Sequence, residues 1–234
     1  MNHNNKFIYP KSQREIINGK RHYNVKAQKL PSVTTILSAT QSPEKQASLA
    51  AWRERVGNEE ATRIVDDAAT RGSSMHKILE EYIQGQGYLD LTPAGLNAHN
   101  MAIKIIENGL SSVTEYYGLE ATLYYPGLYA GATDMVAVHK GQDAIIDFKQ
   151  TNKPKKREWI QDYCLQLAGY AMAHNFIYKT SITKGVIMMC SKDLYYQEFV
   201  IEGLELQKYK HEFLRKVDQY YKMQDERALD NNAL

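Results

Sequence analysis

Asp134, Asp147 and Lys149 are the residues whose types and spacing could do chemistry in this chain. Asp134 ends the run Gly131-Ala132-Thr133-Asp134, and Ile146-Asp147-Phe148-Lys149 follows after a short interval. Residues 144–149 read as a strand rich in β-formers that ends in polar groups. Asp147 and Lys149 therefore share one face, and Ile146 and Phe148 the other. Residues 133–139 also read as a strand, with Lys140-Gly141-Gln142 supplying the turn between the two. With Lys140-Gly141 as a two-residue turn, Asp134 falls opposite Asp147 on the same face; a longer turn shifts this by about one residue. Two carboxylates with open coordination positions suit Mg²⁺ or Mn²⁺, hard cations that prefer oxygen ligands and keep several waters. Such a cation beside an ammonium supplies what hydrolysis of a phosphate ester needs: an activated water, and positive charge where negative charge builds up. The apolar run Ala144-Ile145-Ile146 sets these groups at the end of a buried strand, unlike a solvated salt bridge on a surface hairpin.

Neighbouring elements must bring further groups to this hairpin. Residues 59–84 read as a long helix whose apolar or small positions are Val65, Ala68, Gly72, Met75, Leu79, Tyr82 and Ile83. His76 lies on that stripe, where a neutral imidazole could add a nitrogen ligand to the carboxylates. Glu80, one turn further on, could orient His76 or join the ligands. Glu120, on the strand-like run 119–125, is a further acid near the site. Residues 158–175 read as another helix, with Ile160, Cys164, Leu167, Ala168 and Ala171 on its apolar stripe. Trp159, Tyr163, Gln166 and Tyr170 make a second stripe, on which Gln166 and Tyr170 can reach the same phosphate or base. Between hairpin and helix, the basic loop 151–157 sets Lys153 and Lys155 where they could meet a phosphate backbone.

The string G-x-x-D…D-x-K, followed by Gln166-x-x-x-Tyr170, resembles the PD-(D/E)XK nuclease superfamily, in its RecB-type branch. Within that branch the chain is similar to the family of the mitochondrial genome maintenance exonuclease and its phage and bacterial relatives. The shared stretches include Pro31-Ser32-Val33-Thr34, Arg71-Gly72-Ser73-Ser74-Met75-His76, Gly131-Ala132-Thr133-Asp134, Ile146-Asp147-Phe148-Lys149, Lys153-Pro154-Lys155 and Leu165-Gln166. They run in order from about residue 31 to about residue 175, with Thr133 where the family's name has proline. The resemblance implies a restriction-endonuclease-like α/β core: a central mixed β-sheet flanked by helices, with a helical N-terminal extension. It implies Mg²⁺ or Mn²⁺ held by His76, Asp134, Asp147 and the Phe148 carbonyl, with Asp134, Asp147 and Lys149 catalytic. Gln166, Tyr170, Arg71, Lys153 and Lys155 would contact DNA. The activity implied is exonucleolytic, on single-stranded DNA with a free end threaded through an opening formed partly by the N-terminal helices. An endonuclease, the nuclease module of a recombination complex, and an inactive DNA-binding protein are the alternatives. Gly72 costs a helix about 1 kcal/mol relative to Ala, and close approach of another backbone or of DNA is a reason for it.

At 234 residues the chain suits one compact domain, divisible into an N-terminal hairpin and helical extension (1–58) and a nuclease core (59–234). Its net charge of +2 gives no global basic field, so DNA would be held in a local groove. The two cysteines, Cys164 and Cys190, sit in apolar segments, and neither a disulfide, zinc nor a four-cysteine iron–sulfur cluster is expected. No apolar run approaches membrane-spanning length, and the opening residues are not an Arg-rich presequence. The setting expected is the cytoplasm of a bacterium or of a phage-infected cell, with DNA and a replication or recombination protein as partners. A hairpin around Asn18-Gly19 is expected over residues 7–25, and Ser32 and Ser42 are expected helix caps. Helices are expected near 94–109 and 203–225, strands near 182–190 and 194–201, and fraying after Asp225.

Overall fold

The computed structural model describes residues 1–87 and 92–232. In chain order, β1 (Asn2–His3), β2 (Gln13–Ile17), β3 (Lys20–Val25) and β4 (Gln28–Pro31) precede four helices. These are α1 (Val33–Ala39), α2 (Pro43–Val56), α3 (Asn58–Ile83) and α4 (Pro93–Asn108). Then come β5 (Val113–Tyr125), β6 (Tyr129–His139), β7 (Gln142–Thr151), α5 (Gln161–Tyr178), β8 (Lys184–Ser191), β9 (Tyr196–Glu202) and α6 (Gly203–Asn232). The main sheet runs β1-β5-β6-β7-β8-β9, and β2, β3 and β4 form a separate small sheet.

β5, β6 and β7 make an antiparallel meander, whereas β7 and β8 are parallel. Parallel neighbours need a long crossover, and α5 is that crossover. Side-chain alternation sorts the strands between two cores. Val136, Ile145, Ile187 and Met189 pack with residues of α1, α5 and α6. Met135, Ile146, Phe148, Val186 and Met188 pack with residues of α3 and α4. Both faces are covered, which explains the nearly unbroken apolar run of β8. This is the α/β architecture expected from the sequence: a central mixed sheet flanked by helices.

The small sheet opens with the expected hairpin, whose Asn18 (φ 50°) and Gly19 (φ 71°) supply the two positive φ angles of a tight two-residue turn. The hairpin is shorter than expected. Residues 7–9 leave it because their aromatic rings find a better partner in the main core. Phe7 lies 4.8 Å from His174 and 5.2 Å from Tyr117, edge-on, and the Tyr9 hydroxyl is 3.1 Å from His174 Nε2.

Ser32 caps α1 and Ser42 caps α2, each accepting a backbone N–H three residues on. Val33, Ile36 and Leu37 of α1 belong to the main core, but no residue of α2 is buried. The stripe expected along α3 holds only in part. Met75, Ile78 and Leu79 are buried, whereas Val65 and Tyr82 are 46% and 52% exposed. A 26-residue helix is about 39 Å long, longer than the part of it that Met75, Ile78 and Leu79 pack into the core, so Val65 before that part and Tyr82 after it stay exposed. The α5 helix begins at Gln161, later than expected, because Arg157–Trp159 forms a 3-10 turn that leaves Trp159 exposed. At the other end, α6 continues to Asn232 instead of fraying after Asp225.

Candidate active site

The site forms where the β6–β7 ladder opens. Pairing runs from His139↔Gln142 to Met135↔Ile146 through the two-residue turn Lys140-Gly141, with φ 50° and 78°. Beyond the last pair, the Phe148 N–H donates to Asp134 Oδ2 instead of to a strand carbonyl. The register thus sets Asp134 beside Asp147, as the short turn requires. On the other side of β6, the pairs Leu119↔Met135 and Ala121↔Thr133 leave Glu120 beside Asp134. Glu120 has φ 45°, a left-handed conformation that costs a non-glycine residue about 1–3 kcal/mol. Acids from neighbouring strands therefore stand in one row, at a point of backbone strain.

His76 reaches this row from α3, with Nδ1 3.3 Å from Asp134 Oδ1. Ligand atoms of His76, Glu120 and Asp134 all lie within 4.8 Å of one another. Asp147 is 1% exposed and its Oδ2 forms an ion pair with Lys149 Nζ, yet that oxygen has no aligned hydrogen-bond donor among the described residues. An imidazole nitrogen and two carboxylates whose ligand atoms lie within reach of one another fit a hard divalent cation. Asp147, placed by the resemblance in the ligand set, is held by Lys149, while Glu120 stands with His76 and Asp134.

Charge coupling is strong. Burial pushes Asp134 up, but His76, Lys149 and the Phe148 N–H outweigh it and hold the carboxyl below its usual range. Burial, seconded by Asp134, drives Asp147 up to about 6 against the pull of Lys149. Glu120 is pushed up to about 7, by desolvation first and then by Asp134. Burial pulls both His76 and Lys149 down, and the surrounding carboxylates more than restore them. A divalent cation would relieve this crowding of acids.

A cavity of about 600 Å³ opens over the row. α5 lines it with Tyr163, Gln166 and Tyr170, and α3 with Gly72 and His76. Gln166 Nε2 donates to the Tyr170 hydroxyl at 3.2 Å, so the pair acts as one polar unit. Lys149 Nζ lies 5.1 Å over the Tyr163 ring, which with Asp147 fixes the ammonium. Gly131 makes room for Tyr170: a Cβ there would come 2.8 Å from its ring. Gly131→Ala is expected to push Tyr170 off the cavity wall and to destabilise the fold by about 1–3 kcal/mol. Urea denaturation together with a cleavage assay checks both effects.

Other expected contacts lie elsewhere. The Arg71 guanidinium is committed to Gln150 and Asn152 and braces α3 against β7. Gly72 serves the same approach, since a Cβ there would lie 3.3 Å from the Gln150 side chain, and it also lines the cavity. The Lys155 backbone is tied to Gln197, and the Lys153 carbonyl accepts from Thr151 Oγ1; neither lysine lines the cavity. Glu80 accepts a hydrogen bond from Gln84 and stays outside the group of ligand atoms. Sequence reasoning missed Arg14 and Arg21 of the small sheet, which line the cavity from another side.

Mitochondrial genome maintenance exonuclease 1 of Mus musculus is 30% identical to this chain over 172 residues, covering 70% of the chain and 50% of that protein. The Homo sapiens protein of the same name is 28% identical over 174 residues, with 70% and 50% covered. The chain belongs to the PD-(D/E)XK nuclease superfamily. It spans about half the length of the curated relatives it matches. No protein-family model matches. Among solved structures, the alkaline exonuclease of Laribacter hongkongensis superposes with a TM-score of 0.33 at 16% identity, covering 67% of this chain and 84% of that one. Among the described residues of this superfamily member, no helix is long and apolar enough to cross a membrane.

Proposed function

We propose that this chain is a divalent-metal-dependent exonuclease that hydrolyses phosphodiester bonds in single-stranded DNA from a free end. The observation that carries the reading is the row Glu120, Asp134 and Asp147 with His76 and Lys149 at the floor of one cavity. Glu120, Asp134 and His76 would hold Mg²⁺ or Mn²⁺, with Asp147 and the Phe148 carbonyl as further oxygen donors. The bound cation supplies Lewis acidity to the attacking water and the leaving oxygen. Lys149, held by Asp147 and Tyr163, puts an ammonium where negative charge grows on the phosphoryl oxygens. Gln166 and the Tyr170 hydroxyl offer a joined donor pair to a neighbouring phosphate or base. Of the residues expected to contact DNA, these two line the cavity.

The exonuclease names of the relatives support action on DNA. The strand preference rests on the resemblance, and α2, none of whose residues is buried, leaves its surface available to a threaded strand. Replication, recombination or repair would supply such ends, with a protein of that machinery as partner. The setting proposed is the cytoplasm of a bacterial or phage-infected cell. The named relatives are mitochondrial, and imaging the tagged chain decides between the two.

Linear and circular DNA, single- and double-stranded, compared in one assay with Mg²⁺ or Mn²⁺, test the function. Shortening of linear single strands with circles left intact is expected. Cutting of closed circles would assign the site to an endonuclease instead. Tight DNA binding without metal-dependent turnover would make the chain a DNA-binding protein.

A further inference from the structure

We propose that the inner face of the β2–β3 hairpin is a separate phosphate-binding wall, in which Arg14 and Arg21 hold an internal phosphodiester of the bound strand. The assignment rests on the nuclease reading above. The cross-strand pairs Arg14↔Tyr23 and Ile16↔Arg21 put these four side chains on one face of the hairpin. Arg14, Arg21 and Tyr23 of that face line the cavity that contains Asp134 and Lys149. The opposite face carries the hairpin's acid, Glu15, paired with Lys29 at 3.2 Å. Neither inner guanidinium is in an ion pair among the described residues. The hairpin's one acid is thus held on the outer face, and both arginines stand on the side that meets the cavity without a direct ion pair among the described residues.

The wall is also rigid. Tyr23 is 5% exposed and packs with Val25, Leu30 and Ala130, and the Arg14 guanidinium lies 5.9 Å over its ring. The Arg21 carbonyl accepts from the Ser32 N–H at 3.0 Å and from Thr35 Oγ1 at 2.8 Å, which pins the backbone beneath that side chain. Guanidinium forks match phosphate oxygens in a bidentate manner, and holding them in place beforehand lowers the entropy lost on binding. Ile16, 67% exposed on the same face, gives the wall an apolar contact for a sugar or base.

Fluorescence anisotropy of a labelled single strand lacking a 5′-phosphate, with Ca²⁺ in place of Mg²⁺ and over a range of salt, reads the wall directly. Each phosphate contact to a single strand contributes about 0.7 to the slope of log affinity against log salt. The double variant Arg14→Gln/Arg21→Gln is expected to lower the slope by about 1.4 and to weaken binding about tenfold or more. Arg14→Lys/Arg21→Lys keeps the charge and most of the slope, and Lys29→Gln on the outer face keeps the parent slope. A parent that binds and cuts DNA, with a glutamine double variant indistinguishable from Lys29→Gln, overturns the wall and leaves the nuclease reading intact. An effect seen only with a 5′-phosphorylated strand overturns the internal-phosphodiester assignment. A parent that binds without cutting, with the double variant weakened, upholds the wall and removes the catalytic reading. A parent that neither binds nor cuts overturns both.

Discussion

Asp134→Asn is expected to lower DNA cleavage by about 10³-fold or more, the scale of losing a charged group that acts at the reacting centre. Asp134 is the common partner in the site. Its Oδ1 faces His76, its Oδ2 accepts the Phe148 N–H, and it sits within ligand reach of Glu120. Asparagine keeps the volume and can still accept from Phe148, so the strand end survives while the charge is lost. The same substitution has a readout independent of turnover. A cation bound only to the folded parent at about 100 times its Kd stabilises it by about 2.7 kcal/mol. For a chain of this size, that is a rise in Tm of about 5–10 °C. The parent should show the rise with Mn²⁺, and Asp134→Asn should lose most of it. Undiminished cleavage by the variant would remove Asp134 from the mechanism.

Lys149→Met has the second large effect, and it appears in both activity and stability. Removing the ammonium is expected to slow cleavage about 10²–10³-fold, with affinity for DNA much less affected. In the folded chain it also strips Asp147 of its counter-ion at a position 1% exposed. Breaking a buried pair from one side costs about 3–5 kcal/mol. Proton uptake limits the loss, since the Asp147 carboxyl already stands near 6. Lys149→Met/Asp147→Asn should therefore be more stable than Lys149→Met alone, although equally inactive. Urea denaturation of the two single variants, the double variant and the parent measures the coupling. Additive stabilities would mean that the pair contributes nothing to the fold.

The difference between what the sequence reveals and what it hides is clearest along β5, β6 and β7. Lys140-Gly141-Gln142 marks a turn, and of the lengths it admits the two-residue one, which sets Asp134 beside Asp147, is the one the structure has. The β5–β6 connection pairs Tyr125 with Tyr129 around Pro126, Gly127 and Leu128, a stretch that admits several loop lengths. The position of Glu120 beside Asp134 depended on that choice and on a left-handed backbone that no residue type there announces. Gln166 and Tyr170 were legible because helical spacing alone stacks them. Arg71 was not, since its partners Gln150 and Asn152 lie some eighty positions away and only the packed fold brings them near. Val65 and Tyr82 show the same limit: periodicity marks an apolar side of α3 but not how far the sheet extends beneath it.

The aromatic strap over residues 7–9 has a consequence for the order in which the molecule assembles. Tyr9 and His174 are 165 positions apart, so during synthesis the strap lacks its hydrogen bond until α5 has left the ribosome. Until then Phe7 can meet only Tyr117 and Tyr9, and the His174 contacts of both rings are missing. The short hairpin that follows has only local pairs and can form early by itself, yet it docks only when β6 and α1 offer their surfaces. The wall bearing Arg14 and Arg21 is thus built from local pairs but hung on distant ones, and the acids on the central strands are enclosed on that side only once it has docked.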